Sequence, residues 1–270
     1  VSLDVQRIDR ETGRAAVVAR LRALLPVLER RVSAGVLPFG LPEIDRQLPA
    51  GGLAFDALHE FTGGGDADVP AAFGFLAALL GRAAASDGPE TPALLVLTRR
   101  SLGTFGAPYG HGLAELGLSP ERLLLLETST DVQALWALEE ALRLRAVAAV
   151  AGWLSGRLDL KASRRLQIAA EGSNALLLVL RPPQADEANA ATTRWRIGAA
   201  PAARDRFGCF ERWRWRLALE RCRNGRPGEW IVELRDPELS HAAHPFGLVG
   251  SLADPALVSR AGEEPACRAG

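Results

Sequence analysis

Residues 60–71 read EFTGGGDADVPA, three consecutive glycines and two aspartates between an apolar run (FDALH, 55–59) and a helix-like run (AFGFLAALLGRAAA, 72–85). A strand, a glycine loop and a helix in that order form the arrangement that binds phosphate. Loop N–H groups surround the oxygens, a lysine neutralises the terminal phosphates and a hydroxyl holds magnesium. Counting G-x-x-x-x-G-K-[ST] from Gly63 places the second glycine on Asp68, the lysine on Val69 and the hydroxyl on Pro70. Val69 brings no cation, and Pro70 lacks an N–H donor while suiting the first turn of a helix. Asp66 and Asp68 put negative charge where triphosphate oxygens would sit, a repulsion on the order of several kcal/mol in a partly desolvated cleft. Gly63, Gly64, Gly65, Asp66, Asp68, Val69 and Pro70 therefore read as a degenerate phosphate loop, kept for its geometry.

Hydrolysis would also need carboxylates at neighbouring strand ends, to polarise water and to organise a metal. The run ALLVLTRR ends in Thr98, Arg99 and Arg100, and AVAAVAGWL ends in Gly152, Trp153 and Leu154. Neither presents Asp or Glu. Cys209, Cys222 and Cys267 lack metal-ligand spacing and read as reduced thiols. His59, His111, His241 and His244 are scattered, without an acidic or thiol cluster beside the last two. The expectation is no catalytic residue, no cofactor and no metal.

A second candidate surface lies in ERWRWRLALERCR (211–223). Period-two alternation sends Trp213, Trp215, Leu217 and Leu219 one way and Arg212, Arg214 and Arg216 the other. Trp195 and Trp230 fall on neighbouring strands, with Arg194 and Arg196 on the alternate face, and Arg221, Arg223 and Arg226 lie at the turn NGRPG. Either the tryptophans are buried against a helix and the arginines are solvated, or the arginines form a basic surface for phosphates or a partner's acidic segment. With 32 basic and 32 acidic residues the net charge is zero, which argues against tight, independent DNA binding. Lys161 is the only lysine.

The elements that must position these residues follow from periodicity. Val17, Val18, Leu21, Leu24, Leu25, Leu28 and Val32 recur at helical steps within 9–33, interrupted by Pro26. This arm (1–35) either packs on its own domain or docks on another subunit or partner through Leu21, Leu24, Leu25 and Leu28. From 36 to 235 apolar runs near 57–61, 93–98, 122–127, 146–153 and 175–181 alternate with helical patterns near 70–85, 110–117, 131–145 and 158–171. Strand, helix, strand in repetition gives an α/β fold with a mostly parallel sheet. Residues 212–223 and 229–235 read as an antiparallel hairpin. From 236 to 270 periodicity fades, and the segment reads as a flexible tail. The first residues are charged, unlike a signal peptide, and no apolar run approaches the length that spans a bilayer, so a cytoplasmic protein without a membrane segment is expected. At 270 residues, 48% of them apolar, the chain suits one sizeable domain with appendages, or two small domains.

FGLPEIDRQLPAGGLAFDALHEFTG (39–63) resembles the entry into the RecA-type recombinase core, where a GGL turn precedes a strand and a phosphate loop. ALEEALRLRAVAAVAGWL (137–154) and KASRRLQIAAEGSNALLLVLRP (161–182) are similar to the next two units of that core. With LPFGLPEIDRQLPAGGL (37–53) and WRLALERCRNGRPGEWIVEL (215–234) in the same order, the chain resembles the ImuA family. That resemblance implies a damage-induced (SOS) accessory protein of translesion mutagenesis. It would work beside ImuB, a Y-family homologue without polymerase activity, and an error-prone C-family polymerase, with RecA a further candidate partner. Weak single-stranded DNA contact is the expectation of the arginine surface above, and self-association that of the 9–33 helix. A RecA-like nucleotide binder and a division inhibitor like SulA are the alternatives. Gly152-Trp153 departs from the acidic strand end expected of RecA relatives, which weighs further against metal binding.

Overall fold

The computed structural model describes residues 35–88, 91–183, 187–235 and 245–251. The 9–33 helix, with Leu21, Leu24, Leu25 and Leu28, lies outside the described residues, as do His241, His244 and Cys267.

The strands are β1 (Val36–Leu37), β2 (Leu53–Ala54), β3 (Leu58–Gly63), β4 (Ala93–Thr98), β5 (Leu123–Thr128), β6 (Ala149–Trp153), β7 (Leu176–Arg181), β8 (Thr193–Ala199), β9 (Ala203–Arg204), β10 (Phe210–Arg212), β11 (Arg214–Cys222), β12 (Gly228–Leu234) and β13 (Phe246–Ser251). The helices are α1 (Pro42–Asp45), α2 (Val69–Ser86), α3 (Arg99–Phe105), α4 (Gly110–Glu115), α5 (Asp131–Leu144) and α6 (Leu160–Ala170). Nine strands make one sheet in the order β13-β12-β11-β8-β3-β7-β6-β4-β5. From β8 to β5 neighbours run parallel, and from β8 outward to β13 they run antiparallel. The α/β class with a mostly parallel sheet and an antiparallel hairpin is the one read from the sequence.

Alternation along each strand divides the interior into two layers. Leu95 and Leu97 of β4 and Leu176, Leu178 and Leu180 of β7 pack with α2, while Leu94, Val96, Leu177 and Val179 pack with α5 and α6. Burial on both faces explains why these strands read as unbroken apolar runs. The α2 layer continues under the antiparallel strands through Trp195, Ile197, Trp215, Leu217, Trp230, Val232 and Phe246.

Local chemistry sets the helix ends. Thr130 Oγ1 accepts the Gln133 N–H while Gln133 Oε1 accepts the Ser129 N–H, a reciprocal cap that starts α5. Asp159 Oδ1 caps α6 through Ala162 N–H at 2.6 Å. In the entry segment, the Asp45 carboxylate gathers the N–H groups of Phe39, Gly40 and Leu41 at 2.7, 3.0 and 3.1 Å. Gly52 is required there, because a Cβ would stand 2.6 Å from the Leu37 carbonyl oxygen.

Four details differ from the sequence reading. Arg99 and Arg100, read as the end of a strand, open α3, because the Thr98 hydroxyl caps that helix through Ser101 N–H. Phe246–Ser251, read as tail, is the edge strand β13, with Phe246 buried; its two glycines and shortness hide the alternation. Asp66–Ser86 is long and apolar enough by composition to cross a membrane, and here it is mostly buried against the sheet. Trp213 is half exposed, because the chain leaves the two-stranded β9–β10 sheet at Arg212 and joins the main sheet at Arg214.

Candidate functional site

Ligands of parallel α/β sheets bind outside the carboxyl ends of the strands. Here that edge carries the glycine loop after β3, Thr98, Glu127, Asp131, Trp153 and Ser155.

The loop leaves β3 at Gly63 and reaches α2 through a single 3-10 turn at Asp66–Asp68. Gly63 is needed by the loop itself: a Cβ would stand 2.7 Å from the Gly65 carbonyl oxygen and 3.0 Å from the Val69 nitrogen. Gly64 N–H, which a phosphate cradle would aim at its ligand, donates to the Ile197 carbonyl of β8 at 3.0 Å. Gly65 is open around its Cα, and its carbonyl accepts the Asp68 N–H. The Asp68 carboxylate turns to β8 and accepts the Ala199 N–H at 2.9 Å. Asp66 is exposed, and Pro70 occupies the first turn of α2. Val69, in the lysine position, is 3% exposed and belongs to the α2 core layer. Loop and β8 are thus sewn together through groups that nucleotide binding would have to free.

The rest of the edge is equally occupied. The Trp153 ring lies between Phe73 of α2 and Phe105 of α3, with centroids 4.8 and 5.3 Å away and near-parallel planes. Gly152 is closely covered, since a Cβ would stand 2.6 Å from Leu138 Cδ1 and that side chain would have to shift. Ser101, Thr98, Ser155 and Asp131 form a hydrogen-bond relay of 2.8, 3.2 and 2.9 Å that ends on the Asp131 carboxylate. It contains three hydroxyls and one carboxylate acceptor, and it ties the ends of β4 and β6 to the first turn of α5. Glu127 of β5 is paired with Arg99 at 3.0 Å. Neither Glu127 nor Asp131 is among the sequence candidates: Glu127 closes the apolar run 122–127 rather than either strand end weighed for a carboxylate, and Asp131 opens α5. Among the described residues no His/Cys/Asp/Glu group could hold a metal ion.

The arginines read as a contact surface separate into three groups. Arg194 is a structural cation: β3 and β8 pair Glu60 with Arg194, and its Nε sits 2.9 Å from the fully buried Glu60 carboxylate. Arg181, itself buried, pairs with the same carboxylate, and Asn189 Nδ2 donates to it at 2.7 Å. Burial of one carboxylate against two guanidinium groups and an amide is the condition under which a buried charge is tolerated. Arg196 pairs with Glu220 at 2.5 Å, and Arg212 and Arg214 share Glu233 at 3.1 and 3.2 Å. The Arg212 guanidinium is held above its ordinary pKa, chiefly by its hydrogen bond to Glu211. Arg216, Arg221, Arg223 and Arg226 are exposed, with Arg221 donating to the Asn189 carbonyl at 3.2 Å. The three inward tryptophans, Trp195, Trp215 and Trp230, are buried, and Trp215 Nε1 donates to the Ala71 carbonyl of α2 at 3.0 Å.

One further polar chain crosses the core. His59 is wholly buried and its pKa is lowered to about 4 by desolvation, against a smaller opposing effect of its bond to Ala54. Nε2 lies 2.8 Å from the Ala54 carbonyl and Nδ1 2.8 Å from Thr193 Oγ1, which also accepts the Trp195 Nε1–H at 2.9 Å. The carbonyl can only accept, so Nε2 carries the proton and Nδ1 accepts from Thr193. This neutral histidine joins β3 to β8 and takes no part in the carboxyl edge.

No protein-family model matches the chain. Two curated relatives, Protein ImuA of Caulobacter vibrioides strain NA1000 / CB15N and Protein ImuA of strain ATCC 19089 / CIP 103742 / CB 15, are each 38% identical over 240 residues, covering 83% of this chain and 93% of the relative. An identity of that size over nearly the whole of the relatives' length shows kinship, and the chain belongs to the ImuA family.

Proposed function

We propose that this chain is a non-catalytic accessory protein of damage-induced translesion mutagenesis, a scaffold that assembles with an ImuB-like Y-family homologue, an error-prone C-family polymerase and RecA. The family membership supports the setting. The observation that carries the non-catalytic reading is Val69, a core residue where a nucleotide loop has its lysine. The Gly64 N–H and the Asp68 carboxylate are spent on β8, so the recombinase-like strand–loop–helix serves as a rigid frame. A frame of this kind works by presenting surface, and its partners recognise shape and charge that nucleotide does not alter.

Co-purification of the full chain with the ImuB-like protein from the same genome tests the reading. Equal capture with and without magnesium-ATP, and no phosphate release, is expected. Capture that requires ATP would overturn it.

A further inference from the structure

The hairpin formed by β9 and β10 stands outside the nine-stranded sheet and carries three apolar rings into solvent: Phe207, Phe210 and Trp213 are 74, 53 and 50% exposed. Among the described residues Trp195, Trp215 and Trp230 are buried while Tyr109 and Phe105 are exposed, and the hairpin is where three exposed rings fall within seven residues. Phe210 and Trp213 meet edge to face with centroids 4.8 Å apart, an arrangement in which a ring face of one is not covered by the other. The Arg206 guanidinium lies 4.6 Å over the Phe207 ring.

Charge at the hairpin is asymmetric. Asp205 is exposed, and its Oδ1 is engaged by the N–H groups of Phe207 and Cys209 at 2.8 and 2.9 Å, so it offsets one of the flanking guanidinium charges without pairing directly with either. Glu211 and Glu233 are taken up by Arg212 and Arg214. Arg204 donates only to the Gly208 carbonyl, and neither it nor Arg206 has a carboxylate within ion-pair distance among the described residues. The hairpin therefore offers exposed rings beside two guanidinium groups that are in no ion pair, with a net positive charge over Arg204, Asp205 and Arg206.

We propose that the β9–β10 hairpin is a single-stranded DNA contact, with Trp213, Phe210 and Phe207 stacking on bases and Arg204 and Arg206 meeting phosphates. Base–aromatic stacking with cations alongside is the chemistry by which single strands are held without sequence preference. A duplex keeps its base faces stacked and offers these rings nothing. The choice of DNA over an acidic peptide rests on the accessory role proposed above. It also moves the DNA contact away from Arg194, Arg196, Arg212 and Arg214, whose charges are spent.

The test is fluorescence anisotropy of a fluorescein-labelled oligothymidylate titrated with the full chain, with the matching duplex in parallel. Wild type should bind the single strand saturably and the duplex far more weakly. Phe207→Ala with Trp213→Ala should weaken binding about tenfold or more, and Trp213→Phe should retain most of it. Arg204→Ala with Arg206→Ala should lower the magnitude of the salt slope by about 1.4. All four positions are exposed, so circular dichroism should stay unchanged. No saturable binding, equal affinity for duplex, or indifference to ring removal would overturn the proposal. So would ring variants that lose the ImuB-like partner while holding oligothymidylate, since the hairpin would then be a protein-docking surface. Wild type that captures the partner without binding the strand refutes only this inference; binding of the strand without partner capture refutes only the scaffold.

Discussion

The Asp68 carboxylate accepts the backbone N–H of Ala199 at 2.9 Å, tying the turn before α2 to the end of β8. In the sequence the same aspartate counts against triphosphate; in the fold it has a partner of its own. Removing it frees one donor at a partly exposed site, so Asp68→Ala should cost about 1 kcal/mol in urea unfolding. Hydrogen exchange should quicken at Ala199 and at Gly64. Unchanged exchange at both amides would show that the loop is not held this way.

Restoring the missing lysine should not restore a nucleotide site. Val69→Lys would place an ammonium at a core position, at a cost of several kcal/mol. The expected product is a destabilised protein without ATP turnover. A well-folded Val69→Lys variant that hydrolyses ATP would contradict the account of the loop.

His59 makes stability depend on pH. Its folded pKa of about 4 lies below the ordinary 6.5, so the unfolded chain takes up a proton that the native state refuses. The unfolded state binds more protons between those values, and stability therefore falls as pH drops from about 6.5 to about 4, by roughly 3 kcal/mol in all. Above 6.5 the contribution is flat. Urea midpoints should fall across that window in wild type, and fall less in His59→Gln. Parallel curves for the two proteins would contradict the assignment.

Glu60 holds two guanidinium groups. Glu60→Gln removes the carboxylate that Arg181 and Arg194 share, leaving Arg181 with Glu187 at 3.8 Å, and should cost about 3–5 kcal/mol. Arg216→Ala, on an exposed position of the neighbouring strand, should stay within about 0.5 kcal/mol. Thermal melts of both variants separate a structural arginine cluster from a solvated one. Equal melting would mean that the cluster carries no stability.

Trp153→Ala removes the ring between Phe73 and Phe105 and should cost about 3–5 kcal/mol. Gly152→Ala should cost about 1–3 kcal/mol by driving a methyl into Leu138. A neutral Trp153→Ala would show that this strand end has room for a ligand, and a neutral Gly152→Ala that Leu138 gives way to the methyl.

The parallel half of the sheet was legible because its strands are buried on both faces and read as apolar runs, as in ALLVL and NALLLVL. The empty signature of the glycine loop was legible too, since Val69 and Pro70 are wrong in kind. What the loop does with its freed groups was not, because Asp68 meets Ala199 across 131 residues of chain. The division among the arginines was hidden for the same reason. Arg194 and Arg216 are alike in alternation, and only strand pairing sets one opposite Glu60. Edge strand β13 escaped because two glycines dilute a six-residue pattern. The hairpin aromatics were read only through Trp213, whose period matched the buried set while the chain changes sheet beside it.

Titration calorimetry of the full chain with magnesium-ATP tests the central claim most directly. A frame whose Gly64 N–H and Asp68 carboxylate are already committed should give no saturable heat up to millimolar nucleotide. Saturable micromolar binding that disappears on Gly64→Val would contradict it.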